Sequence, residues 1–265
     1  MAADAPTEPN AYFVRESATR FRPTAHVSGA WATDEQHIAP AIGLLAHALE
    51  RDHAARRGGE LRLSRLSCDI LGVIPLEPVE LEVRLRRPGR TIELLEATLS
   101  HAGRAAVMAR AWFTARFDTA DLAGAPFPPL TPRHAMQRWH VEDLWRGGFV
   151  RTAQVWRREL AQGHVHFWVR SDVSLLDGEA VGRVPHALRL VDVANGVAAR
   201  VDPEAVAFPN LDLTVSLFRE PEGEHTGCAS VASFGPDGAG LTQNVLYDER
   251  GAFGAFSQSL TVRPR

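Results

Sequence analysis

The sequence predicts an α+β protein made of two fused copies of one unit, each a central helix wrapped by an antiparallel sheet. Three observations predict it. A proline-dense stretch divides the chain into near-equal parts, the same order of elements recurs on either side, and apolar helices precede long alternating strands. At 265 residues, with 45% hydrophobic and 23% charged side chains, the chain buries enough apolar surface for one large domain or two ordinary ones.

In the first half Pro40 opens an apolar helix (AIGLLAHALER), and the strands LRLSRLSCDI, VELEVRLR and TIELLEATLS follow. Leu81, Val83 and Leu85 alternate with Glu80, Glu82, Arg84 and Arg86, the pattern of an antiparallel sheet with one wet face. A strand is expected to end at Pro75, and Gly103 marks a turn before the last strand. Between Phe117 and His134, Gly124, Pro126, Pro128, Pro129 and Pro132 exclude helix and central strand and read as a linker.

The second half repeats the order. Pro185 opens HALRLVDVANGV, expected as one continuous helix, a strand ends at Pro221, and Gly251 sits in the turn before the last strand. These markers follow their first-half partners by 145, 146 and 148 residues, and TLSHAGRAAVMARAWF matches VLYDERGAFGAFSQSL in layout. The expected organisation is therefore an N-terminal unit over 1–116, a Pro-rich linker over 117–135 and a C-terminal unit over 136–265 carrying the candidate active site.

Composition narrows the function classes. A net charge of −3 and a pI near 6.4 offer no basic face for nucleic acid. No apolar run approaches the roughly 20 residues that span a bilayer, and Met1 to Asn10 lacks a secretion signal's basic and apolar regions, so a cytoplasmic location is expected. Cys68 and Cys228 form no disulfide framework and read as packed thiols. The sequence contains no lysine, so any phosphate contact falls to an arginine. His164 and His166 share a strand face without a third ligand, so no metal is expected, and GPDGAG from Gly235 reads as a hairpin turn. G-x-S-x-G and H-E-x-x-H motifs are absent, which argues against serine and zinc hydrolases.

Asp192 lies between Val191 and Val193, with Leu188, Asn195 and Gly196 nearest on its helix face. A carboxylate there needs hydrogen bonds or a raised pKa, and it serves either as a general base or as a structural pin. Asn210 and Gln258 gain weight from pairing with it, since an amide both donates and accepts. Gln36 and His37 precede Pro40 at a helix entrance, where backbone N–H groups can polarise a carbonyl. His47 is either a second base or a core residue. Arg65, Arg87 and Arg90 are candidates for phosphate contacts or a solvated sheet face.

DEQHIAPAIGLLAHALE, DILGVIP, VDVANGV, NLDLTVSLFREP and GLTQNVLYDERGAFGAFSQSL resemble the double-hotdog acyl-CoA thioesterases related to bacterial thioesterase II, in an actinobacterial branch of thioesterase family proteins. The resemblance runs from about Ser17 to the C-terminus and implies a tandem double hotdog. It implies a hydrolytic water held by an aspartate on the second helix, a small polar residue before the next strand and a glutamine in the last strand. Those positions fall on Asp192, Asn210 and Gln258, with Asn210 where the pattern has threonine. By the local offsets, the first half presents His47, Ser64 and Arg110 instead.

The implied substrate is a thioester of coenzyme A or acyl carrier protein, with no further cofactor and with water as the attacking group. The acyl slot is expected among Trp31, Leu44, Phe208 and Phe256, with Gln36 and His37 at its mouth. Two alternatives stand beside hydrolysis: a hydratase or dehydratase using His37 or His47 with Asp192, and a non-catalytic protein binding acyl thioesters or another small ligand. The fusion supplies the pair that single hotdogs form by dimerising, and further association into a homo-oligomer stays open.

Overall fold

The computed structural model describes residues 8–265. Of the stretch Met1 to Asn10 read for a secretion signal, residues 1–7 lie outside the described residues. The first half contains β1 (Ala11–Arg15), β2 (Arg20–Pro23), α1 (Ile38–Arg57), β3 (Leu61–Ile70), β4 (Val79–Arg87), β5 (Ile92–His101) and β6 (Arg104–Ala115). The second contains β7 (Gln137–Trp139), α2 (Gly148–Thr152), β8 (Gln154–Ala161), β9 (His164–Arg170), β10 (Ser174–Leu176), α3 (Arg183–Leu188), α4 (Ala194–Val197), β11 (Val206–Ala207), β12 (Asp212–Leu217), β13 (Thr226–Phe234), β14 (Ala239–Asp248), β15 (Gly251–Thr261) and β16 (Arg263–Pro264).

Among the described residues fourteen strands form one sheet in the order β10-β1-β2-β4-β5-β6-β3-β12-β15-β14-β13-β9-β8-β7. About the β3–β12 seam the order mirrors itself, β4-β5-β6-β3 facing β12-β15-β14-β13. The seam is antiparallel from Asp212 opposite Asp69 to Ser216 opposite Arg65, and Ser67 and Thr214 share a hydroxyl hydrogen bond of 3.0 Å across it. A second join pairs β10 in parallel with β1. The halves are thus hydrogen-bonded into one body.

The duplication extends to irregularities. A β-bulge between Leu99 and Ser100 recurs 147 residues later between Leu246 and Tyr247. Leu63 opposite Phe113 likewise corresponds to Asn210 opposite Leu260, again 147 residues on. This register corrects the sequence offsets in the sheet: Asn210 corresponds to Leu63, not Ser64, and Gln258 to Ala111, not Arg110. The difference matters because one residue of slip exchanges the two faces of a strand. The strands also stop before the prolines expected to end them, at Ile70 rather than Pro75 and at Leu217 rather than Pro221.

The helix α1 runs 20 residues, capped by the His37 side chain at its start and by Gly58 in the left-handed region (φ 65°) at its end. Ile42, Leu44, Leu45 and Leu49 are fully buried beneath the sheet. Gly43 is required where α1 crosses α3, because a Cβ there meets Arg189 Cβ at 2.6 Å.

The second helix is not continuous as expected. It stops at Leu188, and the buried Arg189 guanidinium donates to the carbonyls of His186 and Ser171, which takes up carbonyl groups at the break. Leu190 leaves helical geometry (φ −120°), Val191–Val193 form a 3₁₀ turn, and α4 follows. β-branched Val191 and Val193, with Asn195 and Gly196 behind them, are weak helix formers. Asp192 therefore sits on a tight turn between two short helices.

The proline-rich stretch holds no element longer than a 3₁₀ turn but is strapped to the second half. Tyr247 Oη donates to Pro128 O at 2.8 Å, Trp168 Nε1 donates to Thr131 O at 2.9 Å, and Leu130 and Met136 bury against Trp168 and Tyr247. His166 Nδ1 pairs with Thr131 Oγ1 at 2.9 Å, and among the described residues no three His, Cys, Asp or Glu side chains cluster as ligands. GPDGAG is the hairpin between β13 and β14, closed by Gly235 N donating to Ala239 O. Both cysteines are buried and free. Among the described residues no helix is long and apolar enough to cross a membrane.

Candidate active site

Asp192, Asn210 and Gln258 come together. Asn210 Nδ2 and Gln258 Nε2 each donate to Asp192 Oδ1 at 2.7 Å, across 18 and 66 residues of sequence. Asn210 stands just before β12, and Gln258 projects inward from β15. Thr242, directly opposite on β14, donates Oγ1 to Gln258 Oε1 at 2.6 Å, so only the NH₂ end of that amide can face Asp192. Asn210 Nδ2 also reaches Asp212 O at 3.2 Å. Both amides thus hold the carboxylate on one oxygen.

Among the described residues no group donates to Asp192 Oδ2, and Asp192 lines a cavity of about 430 Å³. Burial pushes the carboxyl up to about 7, against the two amide donors, which favour its charged form. His37 Nδ1 lies 4.0 Å from Oδ2 and already accepts Ala39 N–H at 3.1 Å, capping α1. Its ring packs on Phe149 at 4.1 Å between centroids, and burial lowers its pKa to about 3, leaving the imidazole neutral. His37 N donates to Val27 O and Pro40 has no N–H. Among the first groups of α1, Ile38 N–H is left for a ligand.

Trp31, Trp145, Phe149, Val150, Ala153 and Val197 supply the apolar wall. Trp31 meets Trp145 edge-on at 4.8 Å, and Trp145 Nε1 donates to Gly196 O at 3.3 Å, fastening the wall to the Asp192 turn. Of the expected slot residues only Trp31 lines the cavity. Phe208 is buried behind Trp31 and Trp145, while Leu44 and Phe256 lie in the core. Gln36 lines the mouth with its Nε2 on Pro75 O at 2.7 Å and its buried Oε1 unpartnered.

The first-half residues named by offset do not assemble. His47 Nε2 lies 3.8 Å from Glu179, Ser64 bonds Trp112 O, and Arg110 is exposed and paired with Glu96. At the corrected positions stand Leu63 and Ala111, with Leu95 in place of Thr242. Arg65, Arg87 and Arg90 are absent from the lining. The cationic lining residue is Arg263.

Thr242, Trp145, Ile38 and Arg263 were missed by sequence reasoning. Strand alternation points Thr242 inward with Gln258 once the β14–β15 register is known, whereas nothing local distinguishes Arg263 from other arginines.

Comparisons with known proteins bear on the family and the fold. Residues 27–114 match the model of the acyl-CoA thioesterase N-terminal domain, and residues 113–262 match that of the acyl-CoA thioesterase C-terminal domain. No curated protein sequence matches the chain. Among solved structures, a candidate thioesterase II from Thermobifida fusca YX is 20% identical, with 98% of this chain and 99% of that one covered at a TM-score of 0.69. A conserved hot dog protein of unknown function from Alicyclobacillus acidocaldarius is 14% identical, covers 97% of each chain and superposes at 0.72. An acyl-CoA thioesterase II from Mycobacterium marinum is 14% identical, covers 96% of each chain and superposes at 0.69. These likenesses establish the shared fold, and the two domain matches establish the family. The chain belongs to the acyl-CoA thioesterase family and is a thioester hydrolase built as two fused hotdogs.

Proposed function

We infer that the chain hydrolyses acyl-CoA thioesters at one site, with Asp192 as general base. Asp192 Oδ2 takes a proton from water, the water oxygen bonds to the thioester carbonyl carbon, and collapse of the adduct breaks the C–S bond. The departing sulfur recovers the proton, giving free acid and coenzyme A. Asn210 and Gln258 hold Oδ1, so the proton is exchanged at Oδ2 alone. Ile38 N–H stands where a carbonyl oxygen can accept it.

The observation that carries this reading is a buried carboxylate fixed on one oxygen and open on the other at the floor of an apolar cavity. The cavity accommodates an acyl chain against Trp31, Trp145 and Val150, and Arg263 at its edge suits a phosphate of coenzyme A. A hydratase would draw on the approach of His37 to Asp192. The His37 nitrogen facing Asp192 is occupied as an acceptor of Ala39 N–H, which favours hydrolysis.

The test is thiol release and free-acid formation over a panel of acyl-CoAs of rising chain length. Turnover of at least one ester to acid and free thiol is expected. Enoyl-CoA without thiol marks a hydratase or dehydratase, and tight binding without either product marks a binding protein.

A further inference from the structure

We propose that His37 is a further catalytic residue, donating its Nε2–H to the thioester carbonyl oxygen beside the Ile38 N–H. The proposal deepens the hydrolase reading and rests on it for its kinetic consequences only.

The tautomer follows from the hydrogen bonds. His37 Nδ1 accepts Ala39 N–H at 3.1 Å and so carries no proton; in a neutral ring the proton is then on Nε2. Among the described residues Nε2 has no protein partner, and the His37 side chain, 13% exposed, lines the cavity, so Nε2 is the ring nitrogen left for a ligand. The ring cannot turn freely: one edge caps α1 and one face packs on Phe149. A fixed donor with no protein acceptor thus stands beside the general base.

Charge favours the same role. Asp192 Oδ2, 4.0 Å from Nδ1, is the acid that faces the ring closely, and burial lowers the imidazole pKa. Protonating Nδ1 would also break the Ala39 cap. A neutral imidazole cannot supply a proton cheaply, but it donates a strong hydrogen bond to an oxygen gaining charge, and it need not reorganise to do so. As water adds to the carbonyl carbon, the C=O electron pair moves onto oxygen and is met by Nε2–H and Ile38 N–H. It returns when the C–S bond breaks, and His37 keeps its proton throughout.

Replacement must preserve the cap. His37→Asn and His37→Ser both place a good N-cap acceptor at the head of α1 but remove the Nε2–H. Unfolding temperature checks that α1 survives. In either variant kcat is expected to fall about 10²–10³-fold, the loss typical of one oxyanion donor, with KM little changed. A rise in KM at constant kcat would mean that His37 only shapes the cavity, and would overturn the proposal.

A second measurement does not need turnover. Isotope-edited infrared spectra of a [1-¹³C]acyl-CoA bound to Asp192→Asn should show the carbonyl band shifted down from its position in free solution. The shift should shrink when His37→Asn or His37→Ser is added. An unchanged band overturns the role of His37 even if Asp192 proves to be the base. Conversely, persistent thiol release in Asp192→Asn removes the base while the band still judges His37, and failure of any acyl-CoA to bind overturns both.

Discussion

The two hotdogs share strand order and bulges yet differ in what lies beneath the sheet. At three register-matched positions the first half places Leu63, Leu95 and Ala111, and the second Asn210, Thr242 and Gln258. The apolar set needs no partners. The polar set forms a chain in which Thr242 orients Gln258, and Gln258 and Asn210 converge on Asp192. The helices differ in the same sense, since α1 is unbroken over 20 residues and its counterpart breaks around Arg189 and Leu190 to set a carboxylate on a turn. One copy serves as packing and the other carries a buried polar network, which is stable only when each member is satisfied. The first half still contributes the entrance, because His37 and Ile38 head α1.

Among substitutions outside the groups that meet the substrate, breaking the network in the second half should have the largest effect. Gln258→Leu removes one of two donors to the Asp192 carboxylate, a loss of about 1.5–3 kcal/mol. Since donors favour the charged form, the lower limb of the rate–pH profile, expected near 7 in the parent, should move up by about one to two pH units. At pH 7 turnover falls accordingly, and activity partly returns in alkaline buffer. A limb that stays in place would detach Gln258 from the base. Thr242→Val loosens the Gln258 amide without removing it and should move the limb the same way by less than about one pH unit.

Stability offers another comparison. Asp192 titrates near 7 when folded and near 3.8 when exposed, so between these values the native state binds the extra proton. Its contribution to stability is complete below about pH 4 and is lost as pH rises through about 7. Asp192→Asn should therefore raise the unfolding temperature relative to the parent at pH 8 and bring little change at pH 4. Gly43→Ala tests the contact between the helices, since its Cβ would meet Arg189 Cβ at 2.6 Å, and overpacking of this kind costs about 1–3 kcal/mol. The smallest effect is expected from His47→Asn, which should leave thiol release unchanged because His47 faces Glu179 rather than the cavity.

The sequence was legible where physical patterns are local. Alternation in VELEVRLR, prolines at 40 and 185 and the glycine turns disclosed the repeat, and a lone carboxylate between two valines disclosed Asp192. What stayed hidden depends on register and on side-chain direction. The turn markers Pro75 and Pro221, and Gly103 and Gly251, lie at or beyond the strand ends and run one residue short or long of the shared strand register, so Ser64 and Arg110 replaced Leu63 and Ala111 in the offset mapping. The helix break depends on a buried Arg189 capping carbonyls across the core, which no window around residue 190 reveals. Phe208 and Phe256 are apolar enough for an acyl slot, but only packing decides which aromatic faces the cavity and which stands behind it.

The central claim, a single hydrolytic site whose base is Asp192, is tested most directly by thiol release from the preferred acyl-CoA by Asp192→Asn. Asparagine keeps Oδ1 as acceptor for both amides, so the fold and acyl-CoA binding should survive. Turnover is expected to fall at least about a hundredfold, the usual contribution of a general base. Unchanged turnover in a folded, ligand-binding variant would contradict the assignment.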